Sequence, residues 1–101
     1  YITEPMLYSL IVQELYTAYN RELTTEQLKN ILLNKLKLSA KDKENLPSTG
    51  KPRIRKIIDN VISHRDAQDN PIAKGYINYY PSTKILNLPP KGINAHQQNI
   101  I

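Results

Sequence analysis

The chain has 101 residues, no cysteine and a formal net charge of +5. This length is typical of one domain, and the lack of cysteine excludes disulfides and Cys-ligated metal sites. No apolar run approaches the roughly 20 residues of a membrane-spanning helix, and the first residues do not have the pattern of a signal peptide. The first residue is Tyr1 rather than Met. We therefore expect a cytoplasmic piece of a longer protein, without membrane contact.

The positive charge is concentrated in one part of the chain. Residues 31–56 contain eight basic and two acidic residues, a net charge of +6, whereas residues 1–30 have a net charge of −2 and residues 57–101 of +1. A concentrated basic segment is typical of a domain that binds a polyanion such as nucleic acid. The alternative interpretation is a solvated basic surface that keeps the protein soluble.

The first half of the chain predicts two helices. Residues 5–19 have apolar residues at helical spacing, and Pro5 is tolerated in a first turn. Thr24 and Gln27 have the spacing of a capping box, so a second helix is expected to start there. Ser39 is a suitable cap for a further short turn of helix, which ends before Pro47 because the residue preceding a proline avoids helical geometry.

The strongest helical pattern covers about residues 51–65, after a hinge that contains Ser48, Thr49 and Gly50. Its apolar stripe consists of Ile54, Ile57, Ile58, Val61 and Ile62. At 3.6 residues per turn, the opposite face is predicted to carry Arg53, Lys56, Asn60 and Ser63, with Arg55 on a flank.

The periodicity then changes from helical to alternating. Residues 66–71 are rich in turn formers, and residues 75–80 and 84–88 read as two strands of a β-hairpin. Residues 89–101 are expected to be a linker or a tail along the surface, leading to a downstream domain. Three main helices, one short extra helix and a two-stranded wing predict a mainly α-helical fold, a winged helix-turn-helix domain over residues 1–88. In that fold helix 51–65 enters the DNA major groove and hairpin 74–88 is the wing.

One stretch also resembles a known family. Leu38-Ser39, Asp42, Leu46-Pro47-Ser48 and Gly50, followed by a basic Arg/Ile-rich helix and the Gly75-Tyr76 strand, resemble the N-terminal winged-helix domain of Mrr-type restriction endonucleases. The resemblance covers roughly residues 6–88. It implies sequence- or modification-dependent recognition of double-stranded DNA, with catalysis in a separate nuclease domain. The chain departs from the family pattern by lacking a Trp in the recognition helix, by Thr49 in the hinge and by a polar stretch after the helix.

The candidate DNA-binding residues follow from this layout, since Lys and Arg neutralise phosphates and Arg and Asn can read base edges. They are Lys51, Arg53, Arg55, Lys56, Asn60 and Ser63 on the recognition helix, Ser48 and Thr49 in the hinge, and Lys74, Ser82, Thr83 and Lys84 on the wing. The two histidines, His64 and His96, lie 32 positions apart and predict no metal site. We expect no cofactor and no catalytic activity in this chain.

A stripe of Tyr8, Val12, Tyr16 and Tyr19 along the first helix has two interpretations, core packing or an interface with a second copy or a downstream nuclease domain, because Tyr is favoured at interfaces. Two alternative functions also stay open. The same fold can serve as a protein-interaction module, or as the DNA-binding domain of a transcriptional regulator.

Overall fold

The computed structural model describes residues 2–35 and 53–101. In chain order these form helix α1 (Glu4–Thr17), a 3₁₀ turn (Tyr19–Arg21), strand β1 (Glu22–Thr24), helix α2 (Thr25–Lys35), helix α3 (Arg53–Ser63), strands β2 (Asn78–Tyr80) and β3 (Ile85–Asn87), and helix α4 (Pro90–Gln97). The described part is mostly helical, with a small antiparallel sheet. None of its helices is long and apolar enough to cross a membrane.

Helix α2 begins where the sequence predicts. The Thr24 N–H donates to Gln27 Oε1 at 2.9 Å, and the Gln27 N–H donates to Thr24 Oγ1 at 3.1 Å. This reciprocal pair is a capping box, which satisfies backbone donors that the first turn of a helix leaves unpaired. The predicted second helix is thus confirmed, and so are α1 and α3. Helix α1 ends at Thr17 rather than at residue 19, and α3 ends at Ser63 rather than at residue 65.

The hairpin prediction is confirmed, but the sheet has a third strand. Strand β3 lies in the centre and pairs antiparallel with both β1 and β2. The sequence does not predict β1, because a strand of three residues is too short to show an alternating pattern. Asn20 and Arg21 adopt φ of 55° and 57°, which turns the chain sharply from α1 into β1.

The core lies between α1, α2, α3 and the inner face of the sheet. Its fully buried side chains include Leu7 and Leu15 of α1, Leu28 of α2, Ile58 of α3 and Leu86 of β3. The apolar stripe predicted for α3 is buried, with Ile62 as its half-buried edge. The core thus fixes which face of α3 points outward.

The turn after α3 contains a buried polar anchor. Asn70 is completely buried; its Nδ2 donates to the carbonyls of Val61 at 2.9 Å and His64 at 3.2 Å, and its Oδ1 accepts from the Ile72 N–H at 2.9 Å. These bonds satisfy carbonyls that the end of α3 leaves unpaired. The polar sequence of residues 66–71 predicts the turn, but not that one of its amides is in the core.

The last segment contains a helix that the sequence does not predict. Helix α4 packs against α1 and buries Gly92 and Ala95. A Cβ at Gly92 would lie 2.0 Å from the Tyr76 carbonyl oxygen, so only glycine allows this approach. The sequence does not predict that residues 90–97 are helical, because the helix is stabilised by tertiary packing that its Pro- and amide-rich sequence does not reveal.

Candidate nucleic-acid interface

The two arginines of α3 are engaged inside the molecule. Arg55, whose side chain is 14% exposed, pairs with Glu26 of α2 and donates to Asn30 Oδ1 at 3.3 Å. Arg53 is half-buried and donates to the Ile2 carbonyl oxygen at 3.2 Å. Helical periodicity predicts Arg53 on the outward face, but the segment that precedes α1 binds Arg53, and helix α2 binds Arg55.

A second ion pair crosses the same seam between α2 and α3. Lys29 Nζ lies 2.6 Å from Asp59 Oδ1, and in both pairs the cation is largely buried while the carboxylate is about half exposed. The α2–α3 seam thus presents the carboxylates of Glu26 and Asp59 to solvent. Exposed ion pairs contribute little to stability. Because one pair has its cation on α2 and the other has its cation on α3, a shift of one helix along the other would bring like charges together, which disfavours alternative packings.

The outward face of α3 contains the other three predicted residues described there. Lys56 and Ser63 are exposed, and Asn60 is half-buried. Lys56 makes no ion pair with another described residue. The structure therefore brings Lys56, Asn60 and Ser63 together on one accessible face, while Lys51 and the hinge residues Ser48 and Thr49 lie outside the described residues.

The β2–β3 turn presents three of the four predicted wing residues. Ser82, Thr83 and Lys84 are exposed, and the Lys84 N–H donates to the Tyr80 carbonyl at 2.8 Å. Lys84 adopts φ of 56°, a left-handed conformation that costs free energy for a residue with a side chain. Lys74 is exposed and lies in the turns between α3 and β2, beside Tyr8 and Tyr76, outside the two strands of the hairpin.

The turn and α3 meet at the first turn of α2. The Lys84 carbonyl accepts from the Thr25 N–H at 2.9 Å, and the next residue, Glu26, is the partner of Arg55. Lys56 therefore follows Arg55, whose side chain is bound to Glu26, the residue next to the one that contacts the hairpin. Short-range sequence signals could not reveal this proximity, because it depends on the pairing of β1 with β3.

The aromatic stripe of α1 is not one continuous surface. Val12 is completely buried, and Tyr16 is covered by α4, with its ring centroid 4.5 Å from that of His96 and its hydroxyl 3.3 Å from Gln97 Nε2. Tyr8 is half-buried, and burial raises its pKa, with smaller contributions from Asp69 and Glu4. Only Tyr19, 88% exposed, is openly available to a partner.

His64 and His96 lie apart in the structure as they do in the sequence. His64 Nδ1 is 2.8 Å from Glu4 Oε1, which ties the end of α3 to the start of α1. Among residues 2–35 and 53–101, no group of three His, Cys, Asp or Glu residues has the arrangement of a metal site.

Comparison with known proteins identifies no relative: no family model, curated protein or solved structure matches the chain.

Proposed function

We propose that the domain binds double-stranded DNA as a winged helix-turn-helix, with the outer face of α3 in the major groove and the β2–β3 turn on the phosphate backbone. The order of three helices and a hairpin supports this fold, and β1 extends the hairpin to a three-stranded sheet. The proposal concerns Lys56, Asn60 and Ser63 as groove residues and Ser82, Thr83 and Lys84 as backbone contacts.

One observation carries the proposal. Lys56 and Lys84 are exposed on two elements that meet at the first turn of α2, through the contacts of Thr25 and Glu26. The sequence adds Lys37, Lys41, Lys43 and Lys51 to the segment that connects α2 and α3. Such a distribution suits a polyanion that spans the recognition helix and the turn.

The test is binding to a labelled DNA duplex, measured by fluorescence anisotropy at several salt concentrations. Four to six phosphate contacts predict a log–log salt slope of roughly −4 to −5. Lys56→Ala should weaken binding, whereas Lys91→Ala, which removes the same charge from α4, should not. Absent or salt-independent binding, or equal losses from the two variants, would contradict the proposal.

Base reading requires a separate test. An Asn amide can pair with adenine in the major groove, so Asn60→Ala should reduce preference at one base pair by about 1–3 kcal/mol. Selection from a randomised duplex library, with and without methylated bases, measures this preference. An unchanged preferred sequence at full affinity would exclude Asn60 from recognition.

A specific observation favours the protein-interaction alternative. Arg53 and Arg55 are bound within the molecule, and the α2–α3 seam exposes the carboxylates of Glu26 and Asp59. This surface is less basic than the sequence suggests and suits a polar protein partner. Weak duplex binding that is insensitive to salt would support this function instead of DNA recognition.

The role of the whole protein is a proposal that rests on the resemblance to Mrr-type endonucleases alone. On that basis the domain is the target-recognition module of a restriction-type endonuclease, with its nuclease chemistry in another domain. A transcriptional regulator of the same fold is the alternative. The full-length gene separates the two, because only the first requires a nuclease domain.

A further inference from the structure

The outer face of the sheet combines aromatic and amide side chains. Alternation along the strands places Leu23, Leu86 and Tyr79 toward the core, where Leu86 is buried and the other two pack against it. The opposite face therefore holds two rows of paired residues, Glu22–Asn87–Asn78 and Thr24–Ile85–Tyr80. Tyr80 is 48% exposed and only Glu22 is charged.

Tyr19 extends this outer sheet face at the β1 side. It flanks an open cleft of about 320 Å³ whose lining also includes Glu22, Thr24, Gln27 and Ile85. A volume of this size is within the roughly 300–1,000 Å³ of small-ligand sites. Tyr19 and Tyr80 thus stand on either side of Ile85, one across the cleft and one across the strand pair.

The free edge of β1 is closed to an added strand. The Glu22 N–H donates to the Tyr19 carbonyl, and the Thr24 N–H is taken by Gln27 Oε1. Main-chain pairing by an extended peptide requires such donors to be free. A partner at this side therefore has to bind by side-chain contacts on the sheet face and in the cleft.

We propose that the outer sheet face and the Tyr19 cleft bind unpaired nucleobases of single-stranded nucleic acid. Tyrosine rings stack on bases of any sequence, and Asn amides pair with their exposed edges. The net charge of +5 and the exposed Lys84 at the end of the face complement a phosphate backbone. Glu22 opposes phosphate at its own position, so the backbone is expected to pass on the Lys84 side.

The test uses an eight-nucleotide oligothymidylate and the full 101-residue chain. Base stacking on a tyrosine predicts a loss of affinity of about 5- to 150-fold for Tyr80→Ala and for Tyr19→Ala. Tyr80→Phe, the matched control, keeps the ring and should keep the affinity. The chain has no Trp but seven Tyr, so the part of the tyrosine-fluorescence quenching that is lost in Tyr19→Ala and Tyr80→Ala reports stacking on these two rings.

Two further ligands distinguish base stacking from phosphate contact, and single-strand binding from duplex binding. An abasic oligomer with the same phosphates should bind equally to the parent and to Tyr80→Ala, because it has no bases to stack. Affinity for duplex DNA should be reduced by Lys56→Ala and not by Tyr80→Ala. The binding of single strands at the sheet face and the proposed binding of duplex DNA can therefore be disproved independently. Circular dichroism melting confirms that each variant is folded.

Three outcomes would overturn the inference. One is unchanged oligothymidylate affinity in folded Tyr19→Ala and Tyr80→Ala. The second is an equal loss of affinity for the abasic oligomer, which would make the contact purely electrostatic. The third is a dimer in sedimentation equilibrium that only the parent forms, which would assign the face to a second copy.

Discussion

Helix α3 has three basic residues and the β2–β3 turn has one, and the two regions hold these charges in different ways. In α3, Arg55 is bound to Glu26 and Asn30, and Arg53 donates to the Ile2 carbonyl. In the turn, Lys84 is exposed, although its backbone adopts a strained left-handed conformation. The arginines therefore contribute to helix packing, whereas Lys84 is exposed to solvent in a backbone conformation that is unfavourable for a residue with a Cβ. The sequence gives the number of charged residues, but only the packing of the chain decides which of them a ligand can reach.

The largest expected difference between the two regions is in stability. Ile58 of α3 is completely buried, so Ile58→Ala should reduce the free energy of unfolding by about 2–5 kcal/mol through lost burial and a residual cavity. Tyr80→Ala, beside the turn, should change it by less than about 1 kcal/mol, since the side chain is half exposed. Urea unfolding followed by circular dichroism measures both. Equal losses would mean that the hairpin is as tightly packed as α3.

The second prediction compares two neighbouring cations of α3, Arg55 and Lys56, in their effects on stability and on duplex binding. Arg55→Ala should destabilise the domain by about 1–2 kcal/mol, because it removes charge-assisted hydrogen bonds to α2, partly screened by solvent at Glu26. Lys56→Ala should leave stability within about 0.5 kcal/mol and weaken duplex binding instead. The same unfolding experiment, combined with anisotropy, compares the two. An Arg55 variant of parental stability would show that the ion pair does not hold the helices.

The smallest effect is expected at the turn itself. Lys84→Gly should raise the free energy of unfolding by about 0.5–1 kcal/mol, because glycine adopts positive φ without the cost of a Cβ. Lys84→Ala, the control, keeps the conformational cost. Both variants should weaken binding to all duplex sequences about equally and make the salt slope shallower by about 1.

Two results would contradict this third prediction. A Lys84→Gly variant less stable than Lys84→Ala would show that the left-handed conformation is not strained. A change in sequence preference in either variant would mean that Lys84 contacts bases rather than phosphates.

Local patterns predict much of the fold. The apolar stripe of α3, the capping box of Thr24 and Gln27 and the alternation of the hairpin each depend on residues within a few positions of one another, and each is found in the structure. Strand β1 and helix α4 escape prediction because their stability comes from distant partners, β3 and α1. All of the DNA-binding residues stay predictions, and the hinge residues, Lys51 and the short helix expected after Ser39 lie outside the described residues.

The sequence by itself determined helices α1 to α3, the hairpin and the concentration of positive charge, because periodicity, capping and composition are local properties. Only the tertiary structure decided which cations are accessible, that Asn70 lies in the core and that Tyr19 and Tyr80 stand on either side of Ile85. These features depend on which elements meet. An ion pair between Glu26 and Arg55, 29 residues apart, forms only after α2 and α3 have packed on the same core.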